Sequence, residues 1–218
     1  MVATSGIGKR RATAKNETAN PAYLERRREI IDAAARVFKR KGYKGTRLAD
    51  IAEELGTDRA NLYYYVSSKD ELFEEAVTEA VTVNITRAEE IRDGEGRPGD
   101  KLRMVVEELM LSYAAYYPFL YVFIQEDLSH VKESRAGWAA QMRSINHRYE
   151  DVVVSLVQQG YDDGTLREVG PAWVVAYGII GAVGWTNRWF DPAKSRADAA
   201  VIGRTYADML LDGLTSPS

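Results

Sequence analysis

Apolar residues recur every three or four positions along most of this chain, which is the period of an amphipathic α-helix. The sequence shows neither the alternation typical of half-buried β-strands nor an internal repeat. A first helix is predicted from Asn20-Pro21 to about Lys41, where Gly42 ends it. A longer helix is predicted from Ser68 to about Arg92. We therefore predict an all-α fold.

The stretch from Thr46 to Leu72, between those two helices, predicts a helix-turn-helix. We expect Thr46 to cap a short helix with an apolar face, and Gly56 to allow the sharp turn that follows. That apolar face consists of Leu48, Ile51, Ala52 and Leu55.

A second short helix is predicted from Asp58 to about Tyr65, with Thr57 as its cap. We expect Ala60 and Leu62 to face inward. The remaining side chains are polar-tipped and long enough to reach bases or phosphates, which is typical of a recognition helix. They are Arg59, Asn61, Tyr63 and Tyr64.

The segment Ser68-Lys69-Asp70-Glu71 has the spacing of a capping box and opens the long helix. Lys69 falls in the first turn, where its charge opposes the helix dipole. A phosphate bound there would resolve that conflict.

At these positions the sequence closely resembles the TetR family of bacterial transcriptional regulators. The matching residues are Phe38, Gly42-Tyr43, Thr46, Ile51-Ala52, Gly56, Leu62-Tyr63-Tyr64-Tyr65 and Ser68-Lys69-Asp70-Glu71-Leu72. The family usually has histidine or another residue where Tyr65 stands and phenylalanine where Val66 stands, so a backbone contact and a core position are expected to differ.

The resemblance implies a three-helix DNA-binding unit at the N-terminus, followed by a helical bundle for effector binding and dimerisation. It implies that residues 59–61 face bases and that other residues of the unit hold phosphates. The candidate DNA-binding residues are Thr46, Arg47, Thr57, Arg59, Ala60, Asn61, Tyr63, Tyr64 and Lys69.

Charge is distributed unevenly between the two parts of the chain. Residues 1–69 contain 15 Lys and Arg against 8 Asp and Glu, a net charge of +7, and the remainder contains 14 against 24, a net charge of -10. A basic N-terminal part suits a polyanion such as double-stranded DNA. Residues 1–19 are predicted to be a disordered basic arm, either a solvated tail or an arm that contacts DNA.

Several other classes of protein are not indicated. The chain has no cysteine, and His130 and His147 lack helical pair spacing, so we predict no metal site and no cofactor. The sequence contains no catalytic nucleophile motif, P-loop or dinucleotide fingerprint, so we do not expect an enzyme. The longest apolar run, Trp173 to Trp185, is too short to cross a membrane, and no signal peptide is evident, so a cytoplasmic location is expected.

The second half predicts a bundle whose helices are separated by a loop at 93–99, by Pro118 and by a glycine pair, Gly160 and Gly164. Further helices are predicted from Pro171 and from a cap at Ser195. An aromatic stripe around Pro118 is either core or the wall of an effector pocket. The candidate ligand-binding residues are Val81, Tyr113, Tyr117, Tyr121, Phe123, Gln125, Trp138 and Arg148.

The last two helices are apolar on more than one side, and three glycines spaced three apart predict a close approach to one face. The resemblance implies a homodimer through these helices, although the same residues also suit an intramolecular core. The candidates are Gly178, Gly181, Trp185, Trp189, Tyr206, Met209 and Leu210.

We thus expect three segments, 1–19, 20–67 and 68–218, in a regulator released from a palindromic operator by a small hydrophobic effector. The stretch TNRWFDP and the ending LLDGL are similar to family members that control fatty-acid or steroid degradation and respond to acyl-CoA thioesters. The alternatives are a regulator that responds to a planar hydrophobic compound, as in drug efflux, and an adaptor without DNA affinity. The helix from Ser68 is expected to act as a lever between effector and DNA.

Overall fold

The computed structural model describes residues 21–125 and 135–213, and it confirms an all-α architecture. No β-strand occurs within those two ranges. The helices are α1 (Pro21–Gly45), α2 (Leu48–Glu54), α3 (Arg59–Tyr65), α4 (Lys69–Asp93), α5 (Pro98–Ala115), α6 (Phe119–Gln125), α7 (Ala136–Asp162), α8 (Ala172–Gly184) and α9 (Ala199–Asp212), with a 3-10 turn at Trp185–Arg188. The predicted arm at 1–19 and the predicted end of α6 near Leu128 lie outside the described residues.

The chain divides by its contacts after Ala76, within α4, into two compact units. In the first unit, Ile30 and Phe38 of α1 and Ile51 of α2 are almost completely buried together with Leu62 of α3. Phe73 in the first turns of α4 is also buried. Of the apolar face predicted for α2, Ile51 and Ala52 are therefore part of this core, whereas Leu48 and Leu55 are half-buried.

The turns of the first unit depend on two glycines. Gly42 has φ 71°, which interrupts the helical geometry near the end of α1, and Gly56 has φ 62° between α2 and α3. Both angles lie in the left-handed region, where a Cβ is strained. The predicted breaks at these positions are confirmed.

Three predicted helix caps were wrong by a few residues. Thr46 does not cap α2, because its hydroxyl donates to the Gly42 carbonyl oxygen at 2.8 Å and its side chain is buried. The first residue before α2 is Arg47, whose backbone N–H donates to the Asp50 carboxylate at 2.7 Å. That bond satisfies an amide that has no intrahelical partner.

The caps of α3 and α9 are aspartates. Asp58 caps α3 in place of Thr57, accepting from the Asn61 backbone N–H at 2.7 Å. Asp198 caps α9 in place of Ser195, accepting from the Val201 backbone N–H at 2.8 Å. An ionised carboxylate at this position also interacts favourably with the helix dipole, which a hydroxyl does not.

The second unit packs α5 against α9 and α7, and α7 also packs against α8. The approach of α9 to α5 is close, because a Cβ added at Gly203 would lie 3.1 Å from the Glu107 Cα atom. Helix α7 continues past Gly160 to Asp162, so the predicted end at Gly160 is corrected. Gly160 is instead a packing site, since a Cβ there would lie 2.5 Å from the Leu166 side chain.

Candidate DNA-binding and effector sites

Helix α3 presents a polar surface on the side opposite its buried anchor. Leu62 is 1% exposed and fixes the helix to the core of the unit. Arg59, Ala60 and Asn61 are exposed, so the prediction that Ala60 faces inward was wrong. Helix α3 has seven residues and makes only two turns, and Leu62 is the residue that it buries.

The three exposed residues lie in the first turn of α3, which is the part of a recognition helix that reaches base edges. The Asn61 amide is oriented locally, because its Nδ2 donates to the Thr57 hydroxyl oxygen at 2.9 Å. Thr57 therefore orients the Asn61 side chain and does not cap the N-terminus of α3. Tyr63 and Tyr64 follow and are half-buried.

Lys69 occupies the first turn of α4, as predicted, but its ammonium group already has partners in the protein. Its Nζ donates to the carbonyl oxygens of Tyr43 at 2.7 Å and Thr46 at 2.9 Å, with Lys44 O at 3.3 Å. The same nitrogen lies 4.7 Å from the centre of the Tyr43 ring. These contacts fix the backbone between α1 and α2, where Arg47 is exposed.

Ion pairs neutralise Asp50 and Glu54, two of the three acidic residues of α2. Glu54 accepts from Arg36 and Arg40, each at 2.7 Å, and Asp50 accepts from Lys41 at 2.7 Å. These hydrogen bonds lower the pKa of both carboxyls below the ordinary values. The carboxylates thus stay ionised, and their charge is offset by the cations of α1.

The second unit contains a cavity of about 310 Å³ between α4, α5, α6, α7 and α8. Its wall includes three of the predicted ligand-binding residues, Val81, Tyr113 and Phe123. The wall also includes residues that sequence reasoning assigned to the core or did not single out, and they are Asn84, Leu109, Leu120, Ile124, Ile145, Asn146, Tyr149, Glu150 and Ile180.

The other predicted ligand-binding residues lie elsewhere. Tyr121 packs edge-on against Tyr117 and its hydroxyl lies 3.1 Å from the Thr186 hydroxyl oxygen. Because Thr186 donates its own proton to Val183 O at 2.7 Å, Tyr121 is the donor in that pair. Tyr121 is thus part of the packed interior, which was one of the two alternatives for the aromatic stripe, and Tyr117 packs against it while half-buried.

Trp138 and Arg148 also make contacts within the second unit. The Trp138 indole N–H donates to the Thr78 hydroxyl at 3.0 Å, and Arg148 bonds the Glu89 carboxylate at 2.7 Å on the surface. Gln125 lines a more open cleft of about 640 Å³ beside Gly181 and Trp185, and this cleft shares Tyr113, Ile124 and Ile180 with the cavity. The structure therefore divides the predicted set among cavity, core and surface.

Tyr149 is the main cavity residue that the sequence did not single out. Burial, with a smaller effect from the neighbouring Tyr113, raises the pKa of the Tyr149 phenol. Burial likewise raises the pKa of Tyr113. Both phenols therefore stay protonated, so each can donate a hydrogen bond to a bound molecule. The only sequence signal for Tyr149 is that it follows Met142 and Ile145 at helical spacing.

An exposed apolar face covers α8, the 3-10 turn and α9. Trp185 is 61% exposed and Met209 is 60% exposed, which leaves large apolar side chains of both segments open to solvent. A Cβ added at Gly178 or Gly181 would meet no atom within 4 Å. The close approach that the glycines predicted is therefore not made by any residue in the described ranges. Trp189 is also exposed, and Tyr206 and Leu210 are half-buried.

A helix-turn-helix with an exposed recognition helix, joined to a helical unit with an apolar cavity, defines a ligand-responsive DNA-binding regulator. Comparison with known families agrees with this class. Residues 30–76 match the bacterial regulatory proteins of the tetR family, and residues 95–214 match the tetracyclin repressor-like C-terminal domain. The second match spans more than half of the chain, so the protein belongs to the TetR family and is a DNA-binding transcriptional regulator.

Individual relatives cover nearly the whole chain. The HTH-type transcriptional repressor KstR2 of Mycolicibacterium smegmatis is 27% identical over 195 residues, 87% of this chain and 91% of the relative. The structure of the ketosteroid transcriptional regulator KstR2 of Mycobacterium tuberculosis superposes with a TM-score of 0.77 at 22% identity, covering 88% of this chain and 96% of that one. AibR, solved in complex with isovaleryl coenzyme A and operator DNA, has a TM-score of 0.69 at 23% identity, covering 85% and 98%.

None of the helices in 21–125 and 135–213 combines the length and the apolar composition that a bilayer-spanning segment requires.

Proposed function

We propose that this protein is a homodimeric repressor that binds a palindromic operator and is released from it by an acyl-CoA thioester. The observation that carries the proposal is the cavity of about 310 Å³, whose wall is largely aliphatic and aromatic. A cavity of this kind suits an apolar group with a few polar atoms.

The DNA-binding part of the proposal relies on the exposed first turn of α3 and on the positive charge of residues 1–69, which carry 15 Lys and Arg against 8 Asp and Glu. One short recognition helix makes few base contacts, so two related by a twofold axis would read two half-sites about 34–36 Å apart. The exposed face of α8 and α9 is the surface on which the two protomers would pair.

The effector class is inferred from chemistry and from one neighbour. AibR was solved with isovaleryl coenzyme A and operator DNA, and its likeness to this chain is one of fold. The cavity provides the independent support, because its polar wall residues include amides and phenols that suit an uncharged carbonyl group. A planar hydrophobic compound is the alternative effector.

Helix α4 belongs to both units, since it runs from Lys69 to Asp93 and the division falls after Ala76. An effector that binds one conformation of the second unit better than the other would shift the position of α4 and with it the DNA-binding unit. A coupling free energy of about 1–3 kcal/mol corresponds to a loss of operator affinity of about 5–150-fold.

The test is fluorescence anisotropy with the DNA upstream of the protein's own gene, with and without a panel of acyl-CoA thioesters. We expect binding that weakens steeply with salt and that one or more thioesters abolish. Binding that is sequence-blind and insensitive to salt would refute the operator. Release by a planar dye but by no thioester would instead support the alternative effector.

A further inference from the structure

The C-terminal end of the recognition helix α3 is held by two side chains of α1. Tyr65 is the last residue of α3, so its carbonyl oxygen is one of those that the helix itself leaves unpaired. A guanidinium N–H of Arg27 donates to this oxygen. The ring of Tyr23, four residues before Arg27, packs with its centre 5.3 Å from that of the Tyr65 ring. Tyr65 is thus held through both its backbone and its side chain.

The same guanidinium group is also bonded to the first turns of α4. Arg27 pairs with Glu75 at two points, because Nη2 contacts one carboxylate oxygen and Nε donates to the other at 3.3 Å. Nη2 also lies 3.6 Å from the Glu71 carboxylate. Glu71 in turn accepts from the Ser67 backbone N–H at 3.0 Å, directly between the two helices. Arg27 therefore connects the end of α3 to the start of α4, and all of these residues lie in the first unit.

Burial distinguishes Arg27 from an ordinary surface arginine. Its side chain is 13% exposed, whereas the next residue, Arg28, is exposed to solvent. A guanidinium that bonds a carboxylate at two points has a fixed orientation, and partial burial reduces the screening of its charge. The Arg27 side chain is therefore a defined connection between helices.

The other contacts that hold α3 are apolar. The helix packs mainly against α2, and Leu62 within it and Val66 directly after it are buried. Apolar burial is not directional, so it holds a short helix in place without fixing its tilt. A hydrogen bond to the last carbonyl oxygen is directional. Residues 59–61 lie about 6–9 Å along the helix from Tyr65, so a change of tilt at that end displaces them.

We propose that Arg27 is a positioning residue for sequence recognition, which sets the tilt of α3 by joining the Tyr65 carbonyl oxygen to the Glu75 carboxylate of α4. Arg27 acts in this role without touching DNA. The inference rests on the operator binding in the proposed function and is independent of the effector.

Loss of this connection should affect specific and nonspecific DNA binding differently. Base contacts require the first turn of α3 at one angle, whereas attraction to phosphates depends mainly on charge. The ratio of the two affinities therefore reports the position of α3. A residue that only stabilised the fold would leave that ratio unchanged in a folded variant.

The experiment uses the full chain and the variants Arg27→Met, Arg27→Lys and Glu75→Gln, at a temperature where melting curves show each of them to be folded. Arg28→Met is the matched control, because it removes the same charge from the next residue of α1. Fluorescence anisotropy measures the affinity for a duplex that wild type selects from a randomised pool and for a scrambled version of that duplex. Hydrogen exchange without DNA compares the amides of α3 with those of α2.

We expect Arg27→Met to lower the ratio of specific to nonspecific affinity by about tenfold, and Glu75→Gln to lower it by about threefold. Arg27→Lys should restore the ratio only in part, because one ammonium group does not reproduce the two-point geometry. Arg28→Met should weaken both affinities by the same factor and leave the ratio unchanged. Amides of α3 should exchange about tenfold faster in Arg27→Met, and those of α2 at the wild-type rate.

An unchanged ratio in both Arg27→Met and Glu75→Gln overturns the inference, as does equal acceleration of exchange in α2 and α3. Full recovery of the ratio in Arg27→Lys would also overturn it, because charge alone would then suffice. Failure of every thioester to release DNA would refute the proposed switch and leave this inference intact. Sequence-blind binding by wild type would overturn both.

Discussion

Lys69 donates from its Nζ to the backbone carbonyl oxygen of Tyr43 at 2.7 Å, across the turn that joins α1 to α2. The Tyr43 hydroxyl in turn donates to the Asp70 carboxylate at 2.5 Å. The start of α4 is thus bonded to the end of α1 from both sides. Lys69, which was predicted to hold a phosphate, therefore stabilises the backbone segment that precedes Arg47.

Lys69→Met should lower the free energy of unfolding by about 1–3 kcal/mol, because it removes charge-assisted hydrogen bonds to partly buried carbonyl oxygens. Operator affinity should fall as well. Lys44→Met removes the same charge from an exposed side chain and should affect the stability little. Urea unfolding compares the two variants. A loss of DNA affinity without loss of stability in Lys69→Met would show that phosphate contact is its main role.

Base preference should reside in the first turn of α3. Arg59→Ala and Asn61→Ala should each change which operator base is preferred, by about 1–3 kcal/mol at the affected position. Tyr63→Phe should weaken binding to all sequences about equally, because phosphate contacts carry no sequence information. Affinities for a panel of single-base operator variants decide this. A changed preference in Tyr63→Phe alone would reverse the assignment.

Larger side chains on the glycine face of α8 should leave the fold of one protomer intact but weaken the association of two protomers. Gly181→Leu should preserve the helical circular dichroism, since a Cβ there meets no atom within 4 Å, and should weaken dimerisation by about 1–3 kcal/mol. Sedimentation velocity over a range of concentrations measures this.

Gly203→Ala is the matched control for that glycine. A Cβ at Gly203 would lie 3.1 Å from the Glu107 Cα atom, so this variant should lower the melting temperature through contacts within one chain. A dimer unaffected by Gly181→Leu would place the interface elsewhere.

Stability should decline in alkaline solution because buried phenols must ionise when the chain unfolds. Burial raises the pKa of Tyr121 to about 12. The folded state therefore retains a proton that the unfolded state releases near pH 10, so the contribution is complete below about pH 10 and is lost between about pH 10 and pH 12.

The raised pKa values of Tyr113 and Tyr149 act in the same direction. Each such phenol should steepen the loss by about 1.4 kcal/mol per pH unit. Urea unfolding at a series of pH values, with tyrosinate absorbance as a second signal, measures the slope. Tyr121→Phe should reduce it, and an unchanged slope would contradict the assignment.

Much of the fold and part of the site could be predicted because they depend on local chemistry. The left-handed φ angles at Gly42 and Gly56 and the helix break near Pro118 were predicted from the residues themselves. The caps were less predictable. Thr57 and Asp58 are adjacent and both can cap α3, so the choice depended on how the preceding turn directs each side chain.

The sequence by itself determined the period of each helix, the uneven charge and the chemistry available to α3, because these depend on neighbouring residues. Only the tertiary structure decided which aromatic residues line a cavity and which pack in the interior. Tyr121 and Tyr149 are both tyrosines of the second unit, but Tyr121 is buried against Phe190 and bonds Thr186, whereas Tyr149 is half-buried and borders the cavity of about 310 Å³. A cavity forms where side chains from several helices leave a common volume unfilled. The hydrophobic pattern of one helix therefore cannot predict it.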